Sequence, residues 1–212
     1  VNRKLIVLLV LAMLSLTSTA LAQAPPAQVE IQPFIGFRWG GGFDIDDPAA
    51  PQFDIASGQS YGLTVGWVSG PTTQIDFLWS HQGTDLELDG SIPGHGDTLS
   101  GFDIDNFQLE GSYMSGAPEA KIRGFGTFGL GATQFGAPSG FSGSRTQFAL
   151  SIGGGVKVYL SKTLGLRFQG RWTPTFFNSD ETIFCGNQGC FATTSGDYIS
   201  QVEVTSGLIL RF

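Results

Sequence analysis

The sequence predicts an all-β fold, a single eight-stranded antiparallel up-and-down barrel, and three observations carry that prediction. Apolar and polar residues alternate with a period of two in eight separate segments. The connections between those segments alternate strictly between tight turns and long loops. Only 14% of the 212 residues are charged, Phe, Gly and Thr are abundant, and no long run of Ala, Glu, Lys and Leu falls at helical spacing.

The N-terminus reads as an export signal. Arg3 and Lys4 precede an apolar run of twelve at 5–16, and Ala20-Leu21-Ala22 supplies a small-x-small cleavage pattern. Twelve residues fall short of the roughly 18 needed for a membrane-spanning helix, so cleavage after Ala22 is expected. The expected organisation is therefore a signal at 1–22, a short N-terminal segment at 23–28 and one barrel domain at 29–212. Without the signal, 9 basic side chains stand against 18 acidic ones. That balance argues against nucleic acid as a partner.

The segments can be taken in chain order. At 29–41, Val29, Ile31, Ile35, Phe37 and Trp39 share one face, and Glu30, Gln32 and Arg38 the other. At 58–69 the apolar face is Tyr61, Leu63, Val65 and Trp67. At 73–81, Ile75, Phe77 and Trp79 oppose Gln74, Asp76 and Ser80. At 105–114, Phe107, Leu109 and Tyr113 oppose Asn106, Gln108, Glu110 and Ser112. The segment 122–133 sets Phe128 and Leu130 against Arg123 and Thr127, with Phe125 breaking the pattern. At 146–160, Phe148, Leu150, Ile152, Val156, Val158 and Leu160 oppose Gln147, Ser151 and Lys157, with Arg145 just before them on the polar side. Leu164, Leu166, Phe168 and Trp172 oppose Arg167, Gln169, Arg171 and Thr173. In the last segment, Tyr198, Val202, Val204, Leu208, Leu210 and Phe212 oppose Gln201, Glu203, Thr205 and Arg211.

Which face looks outward follows from energetics. An Arg turned to lipid near the bilayer midplane costs about 2–4 kcal/mol. A one-residue slip of the segment holding Arg167 and Arg171 would expose both, so the register should be firm, with apolar residues outward and ionic residues in the lumen. The predicted fold is thus a transmembrane β-barrel. Three connections are tight, at Gly70-Pro71-Thr72, at 116–120 and at Ser161-Lys162-Thr163; four are long, at 42–57, 83–102, 136–143 and 178–195. Trp67, Tyr113 and Phe212 fall toward the tight-turn ends and Trp39, Tyr61, Trp79, Trp172 and Tyr198 toward the long-loop ends, predicting two interfacial aromatic girdles.

The opening run Ile31-Gln32-Pro33-Phe34-Ile35-Gly36-Phe37-Arg38-Trp39-Gly40-Gly41, the glycine-rich middle segments and the closing Leu208-Ile209-Leu210-Arg211-Phe212 resemble the small eight-stranded outer-membrane barrels related to OmpA and OmpX. The resemblance implies an outer-membrane location with periplasmic termini and extracellular long loops, a monomer, and lipid and lipopolysaccharide as surroundings. Leu208, Leu210 and Phe212 resemble the terminal signal read by the barrel assembly machinery. No peptidoglycan-binding segment follows Phe212, so a wall-anchoring role is not expected.

Gly124-Phe-Gly126-Thr-Phe-Gly129 matches a dinucleotide fingerprint in letters only, since that motif opens a helix and this one lies inside a strand pattern. Ser80 and His81 are neighbours and so face opposite ways, and His95 sits in a Gly- and Pro-rich loop; no catalytic residue is assigned. No metal site or cofactor is expected. Cys185 and Cys190 lie in one loop and, in an oxidising compartment, read as a local disulfide. The acidic loop residues Asp44, Asp46, Asp47, Asp85, Glu87, Asp89 and Asp97 read as solvated surface, or as groups gathering divalent cations against lipopolysaccharide phosphates. The inward set Glu30, Arg38, Asp76, Glu110, Arg123, Lys157, Arg167, Arg171, Glu203 and Arg211 reads as a network filling the lumen. Three function classes follow: a structural or surface-interaction barrel, a narrow solute channel, and a secreted lipocalin-type ligand binder.

Overall fold

Alternation of apolar and polar residues leaves each strand with one face that must avoid water, and the chain satisfies all of them by closing a sheet on itself. The computed structural model describes residues 28–43, 52–89, 98–136, 144–177, 182–186, 189–193 and 198–212. In chain order the strands are β1 (Gln28–Trp39), β2 (Gly42–Phe43), β3 (Gln52–Ile55), β4 (Gly58–Val68), β5 (Thr73–Asp89), β6 (Thr98–Met114), β7 (Ile122–Gly136), β8 (Ser144–Tyr159), β9 (Leu164–Phe176), β10 (Thr182–Gly186), β11 (Gly189–Thr193) and β12 (Tyr198–Arg211).

Eight of these, β1, β4, β5, β6, β7, β8, β9 and β12, form the barrel, each antiparallel to its sequence neighbours in the wall. β12 closes the cylinder onto β1 with Glu30 opposite Arg211 and Arg38 opposite Glu203. Val29 and Phe212 exchange backbone hydrogen bonds at the seam, 3.3 and 3.0 Å. Closure leaves no edge in the wall.

The three tight connections form as expected. Ser69 and Gly70 N–H groups donate to the Thr73 carbonyl at 3.1 and 3.2 Å. Gly116 adopts φ +82°, a left-handed conformation that costs a glycine nothing. Ser161 Oγ accepts the N–H groups of Thr163 and Leu164 at 3.2 and 3.0 Å, mimicking a backbone turn.

Three of the four expected loops carry strand structure, which corrects their reading as loops. The 83–102 segment is mostly strand: β5 and β6 run on as a paired ribbon, with Leu86 opposite Leu99 after a register shift between Thr84 and Leu86. In 42–57, β3 adds to β5 at Leu86–Asp89, and β2 adds to β3. In 178–195, β10 and β11 form a separate two-stranded sheet. The reason is common to all three: an extended segment satisfies its backbone groups by pairing with another, whether a barrel strand that runs on or a partner within the same connection. Gln28 already belongs to β1, one residue earlier than the expected domain start.

Candidate functional site

Parity along the strands decides what enters the lumen. Glu30, Gln32 and Arg38 of β1, Gln74, Asp76 and Ser80 of β5, Glu110 of β6, Arg123 of β7, Lys157 of β8, Arg167 and Arg171 of β9 and Glu203 of β12 are all buried inside the cylinder. Arg211 is only partly covered, at the tight-turn end. Glycines on the same inner face make room for the long side chains. A Cβ on Gly129 would lie 2.7 Å from Glu110 Cγ, and Gly153 stands opposite Arg171.

At the tight-turn end, Glu30 is the hub. Lys157 Nζ donates to its Oε2 at 2.6 Å and Arg211 Nη2 to its Oε1 at 2.8 Å. Gln32 Nε2 and Tyr159 Oη also donate to it, at 2.8 and 3.2 Å. Lys157 donates a second bond to Gln74 Oε1 at 2.7 Å, and Gln74 Nε2 in turn donates to Asp76 Oδ1 at 2.6 Å. Ser112 Oγ donates to the other oxygen of Asp76 at 2.6 Å. Arg167 Nη1 donates to Gln32 Oε1 at 2.5 Å and lies 3.6 Å from Asp76 Oδ2.

Toward the loop end the pattern repeats with new partners. Arg171 lies between two acids, 3.8 Å from Glu110 and 3.3 Å from Glu203. Ser151 Oγ donates to Glu110 at 3.0 Å. Arg38 Nη2 donates to Glu203 Oε1 at 2.9 Å and also to Ser80 Oγ, whose own proton goes to Glu203 at 2.9 Å. With its amide turned to suit, Asn106 accepts from both Arg38 Nη atoms at 3.0 and 3.2 Å. Arg123 stands apart: Nη2 donates to the Pro71 carbonyl at 2.6 Å and Nε to the Ser115 carbonyl at 3.3 Å, which ties it to the turns.

The lumen is therefore filled along its length by buried side chains, most of them bonded to one another; the amides of Gln108 and Gln201 and Nε and Nη2 of Arg167 and Arg171 are without a hydrogen-bond partner. One enclosed space within it, bordered by Gln32, Phe34, Thr64, Arg167, Gln169, Thr205 and Gly207, measures about 10 Å³, room for about one water. A larger concavity of about 770 Å³ is bordered by outward Phe168 and Val204 and by inward Ser60, Gln169 and Thr205, and one of about 320 Å³ lies among Trp172, Phe176 and Tyr198.

Several interior residues escape a reading by charge alone. Leu78, Ile104, Met114, Phe125, Phe135, Phe177, Ile199 and Ile209 are buried inside as an apolar complement to the ladder. Phe125, the residue that breaks its segment's pattern, is luminal and lies beneath the Arg167 guanidinium, 4.5 Å from Cζ to the ring centroid. Tyr159 plays the same part for Arg211 at 4.2 Å. Both keep the inward parity of their strands, and that parity was the available signal. Arg145 is corrected: expected inward, it is exposed at the start of β8, where the strand has passed the lumen's rim.

On the outside, Trp39, Tyr61, Trp67, Tyr113, Trp172, Tyr198 and Phe212 are exposed, as are Leu208 and Leu210. Trp79 is half-buried and donates to Asp105 Oδ1 at 3.0 Å, and Trp172 donates to Ser200 Oγ at 2.5 Å. His81 faces outward against Asp105 at 3.0 Å while Ser80 is luminal, so the two do not meet. Cys185 and Cys190 are cross-strand partners in the β10–β11 hairpin, though their side chains lie outside the described residues. Asp44, Asp46, Asp47, His95, Asp97 and the segment 1–27 also lie outside them. Glu87 and Asp89 are placed by backbone alone, within the β5 extension. Among the described residues no group of His, Cys, Asp and Glu is arranged to hold a metal ion.

No protein-family model matches the chain, and no curated protein is significantly similar to it in sequence. Solved structures do match in shape. Neisserial surface protein A is 11% identical with a TM-score of 0.55, over 90% of this chain and 99% of its own. The outer membrane protein OprG from Pseudomonas aeruginosa is 12% identical with a TM-score of 0.58, over 88% and 96%. The outer membrane protein AlkL, solved in lipid bilayers, is 14% identical with a TM-score of 0.56, over 88% and 90%. The chain has the fold of the small eight-stranded outer-membrane β-barrels.

Proposed function

We propose that this protein is a non-catalytic outer-membrane barrel that stabilises the envelope and presents a projecting sheet for surface interaction. The lumen carries the first half of the reading. A path for solute would need connected space, and the side chains that could line one are buried against each other across the lumen instead, most of them hydrogen-bonded. The outer wall is consistent with lipid as the partner, since exposed Ile35, Phe77, Leu109, Phe128 and Val204 would be costly in water.

The β5–β6 ribbon carries the second half. Each strand has 17 residues, where about 9–11 cross the hydrocarbon when tilted. Several residues of each strand are left to stand beyond the membrane, widened by β3 and β2. With periplasmic termini, as in an exported barrel, that sheet would face the cell exterior. Its acids, Asp85, Asp103 and Asp105, suit a cationic partner or cation-bridged lipopolysaccharide.

Reconstitution into planar bilayers tests the closed lumen against the channel reading. The expected result is no unitary conductance above the lipid baseline in 1 M salt, roughly the regime where screening shrinks to about 3 Å. Stable, reproducible conductance steps from the wild-type barrel would establish the narrow channel instead.

A further inference from the structure

The luminal ladder does not balance. Arg38, Lys157, Arg167, Arg171 and Arg211 alternate with Glu30, Asp76, Glu110 and Glu203, five cations for four carboxylates, before Arg123 is counted at the turns. Among the described residues Arg171 lies within 4 Å of two carboxylates, and Arg167 of one. Its Asp76 partner is 3.6 Å away and already accepts bonds from Gln74 and Ser112. Arg167 is almost wholly buried, and its Nε and Nη2, like those of Arg171, have no hydrogen-bond partner. A buried guanidinium with idle donors is costly unless a negative group or a strong acceptor meets them.

The enclosed space of about 10 Å³ borders this same side chain. Thr64, Thr205, Gln32 and Gln169 also border it, the Gln32 amide donating to Glu30 and the Gln169 amide to Thr127. No carboxylate lines it. A cation, hydroxyl and amide donors and a space of about one water's size match the chemistry of a single monatomic anion; sulfate, phosphate and organic acids are too large.

We propose that the cavity beside Arg167 binds a halide ion, chloride in ordinary surroundings, which completes the charge alternation of the lumen. The ion is held by Arg167 and the neighbouring hydroxyls and amides, and it is captured as the barrel closes.

Two readouts on the whole chain in detergent test this. Crystals grown in bromide should show an anomalous peak in contact with Arg167. At fixed ionic strength, the urea midpoint of unfolding should rise saturably with chloride or bromide replacing gluconate. The increment should vanish in Arg167→Gln and in Thr64→Val, the second keeping the test alive if the first does not fold, and should persist in Lys162→Gln on an exposed turn. Identical midpoints in all three salts together with no anomalous peak, leaving at most a water in the cavity, would overturn the site.

Discussion

Arg38 and Glu203 face each other across the seam between β1 and β12, almost completely buried and 2.9 Å apart. Removing one partner leaves the other charged and dry, so Arg38→Met or Glu203→Gln alone should cost about 3–5 kcal/mol, read from urea unfolding in micelles. The double replacement Arg38→Met with Glu203→Leu should recover most of that loss, because a packed apolar pair carries no desolvation penalty. Equal losses in single and double variants would show that shape rather than charge sets the value. Glycine gives a second contrast. A Cβ on Gly155 would lie 1.9 Å from the Phe168 carbonyl oxygen, which is backbone and cannot step aside, whereas one on Gly170 meets nothing within 4 Å. Gly155→Ala should therefore lower stability by about 1–3 kcal/mol and Gly170→Ala should leave the urea midpoint unchanged or raised. At this scale the sequence was informative wherever parity was clean, as for Lys157 and Arg167. It was silent on partners, because which acid a base meets depends on the stagger between strands, and that is not written in any one of them.

Strand pairing beyond the barrel wall depends on partners distant in sequence. In β5 the run Thr84-Asp85-Leu86-Glu87-Leu88-Asp89 alternates plainly, yet its acids and the preceding Gly83 also suit a loop. What makes it a strand is the company of β6 and β3, two partners that no local pattern announces. Tight turns were legible because they depend on local chemistry: Pro71 fixes its own φ, and Ser161 supplies an oxygen within its own turn. The β10–β11 hairpin forms a sheet of its own, unpaired with any barrel strand. Replacing 178–196 with a short Gly-Ser linker should therefore leave barrel assembly intact, with the boiled and unboiled forms still migrating apart on a detergent gel. A variant that no longer separates into two bands would make this hairpin part of the folding unit.

The whole molecule rests on one inversion: charge inside, oil outside. The eight-strand count, the sequential antiparallel order and the closure of β12 onto β1 all serve that arrangement, since an open sheet would leave backbone groups unpaired in hydrocarbon. It also separates the account from a water-soluble barrel with an apolar interior, in which Arg167 and Arg171 would look outward. Spin labels placed one at a time along β9, from Leu164 to Phe176 in a background with Cys185 and Cys190 changed to Ser, measure the inversion directly in lipid bilayers. Oxygen dissolved in the hydrocarbon should relax labels at 164, 166, 168, 170 and 172 strongly and those at 165, 167, 169 and 171 weakly, with a period of two. The opposite phase, or equal relaxation at every position, would contradict the account.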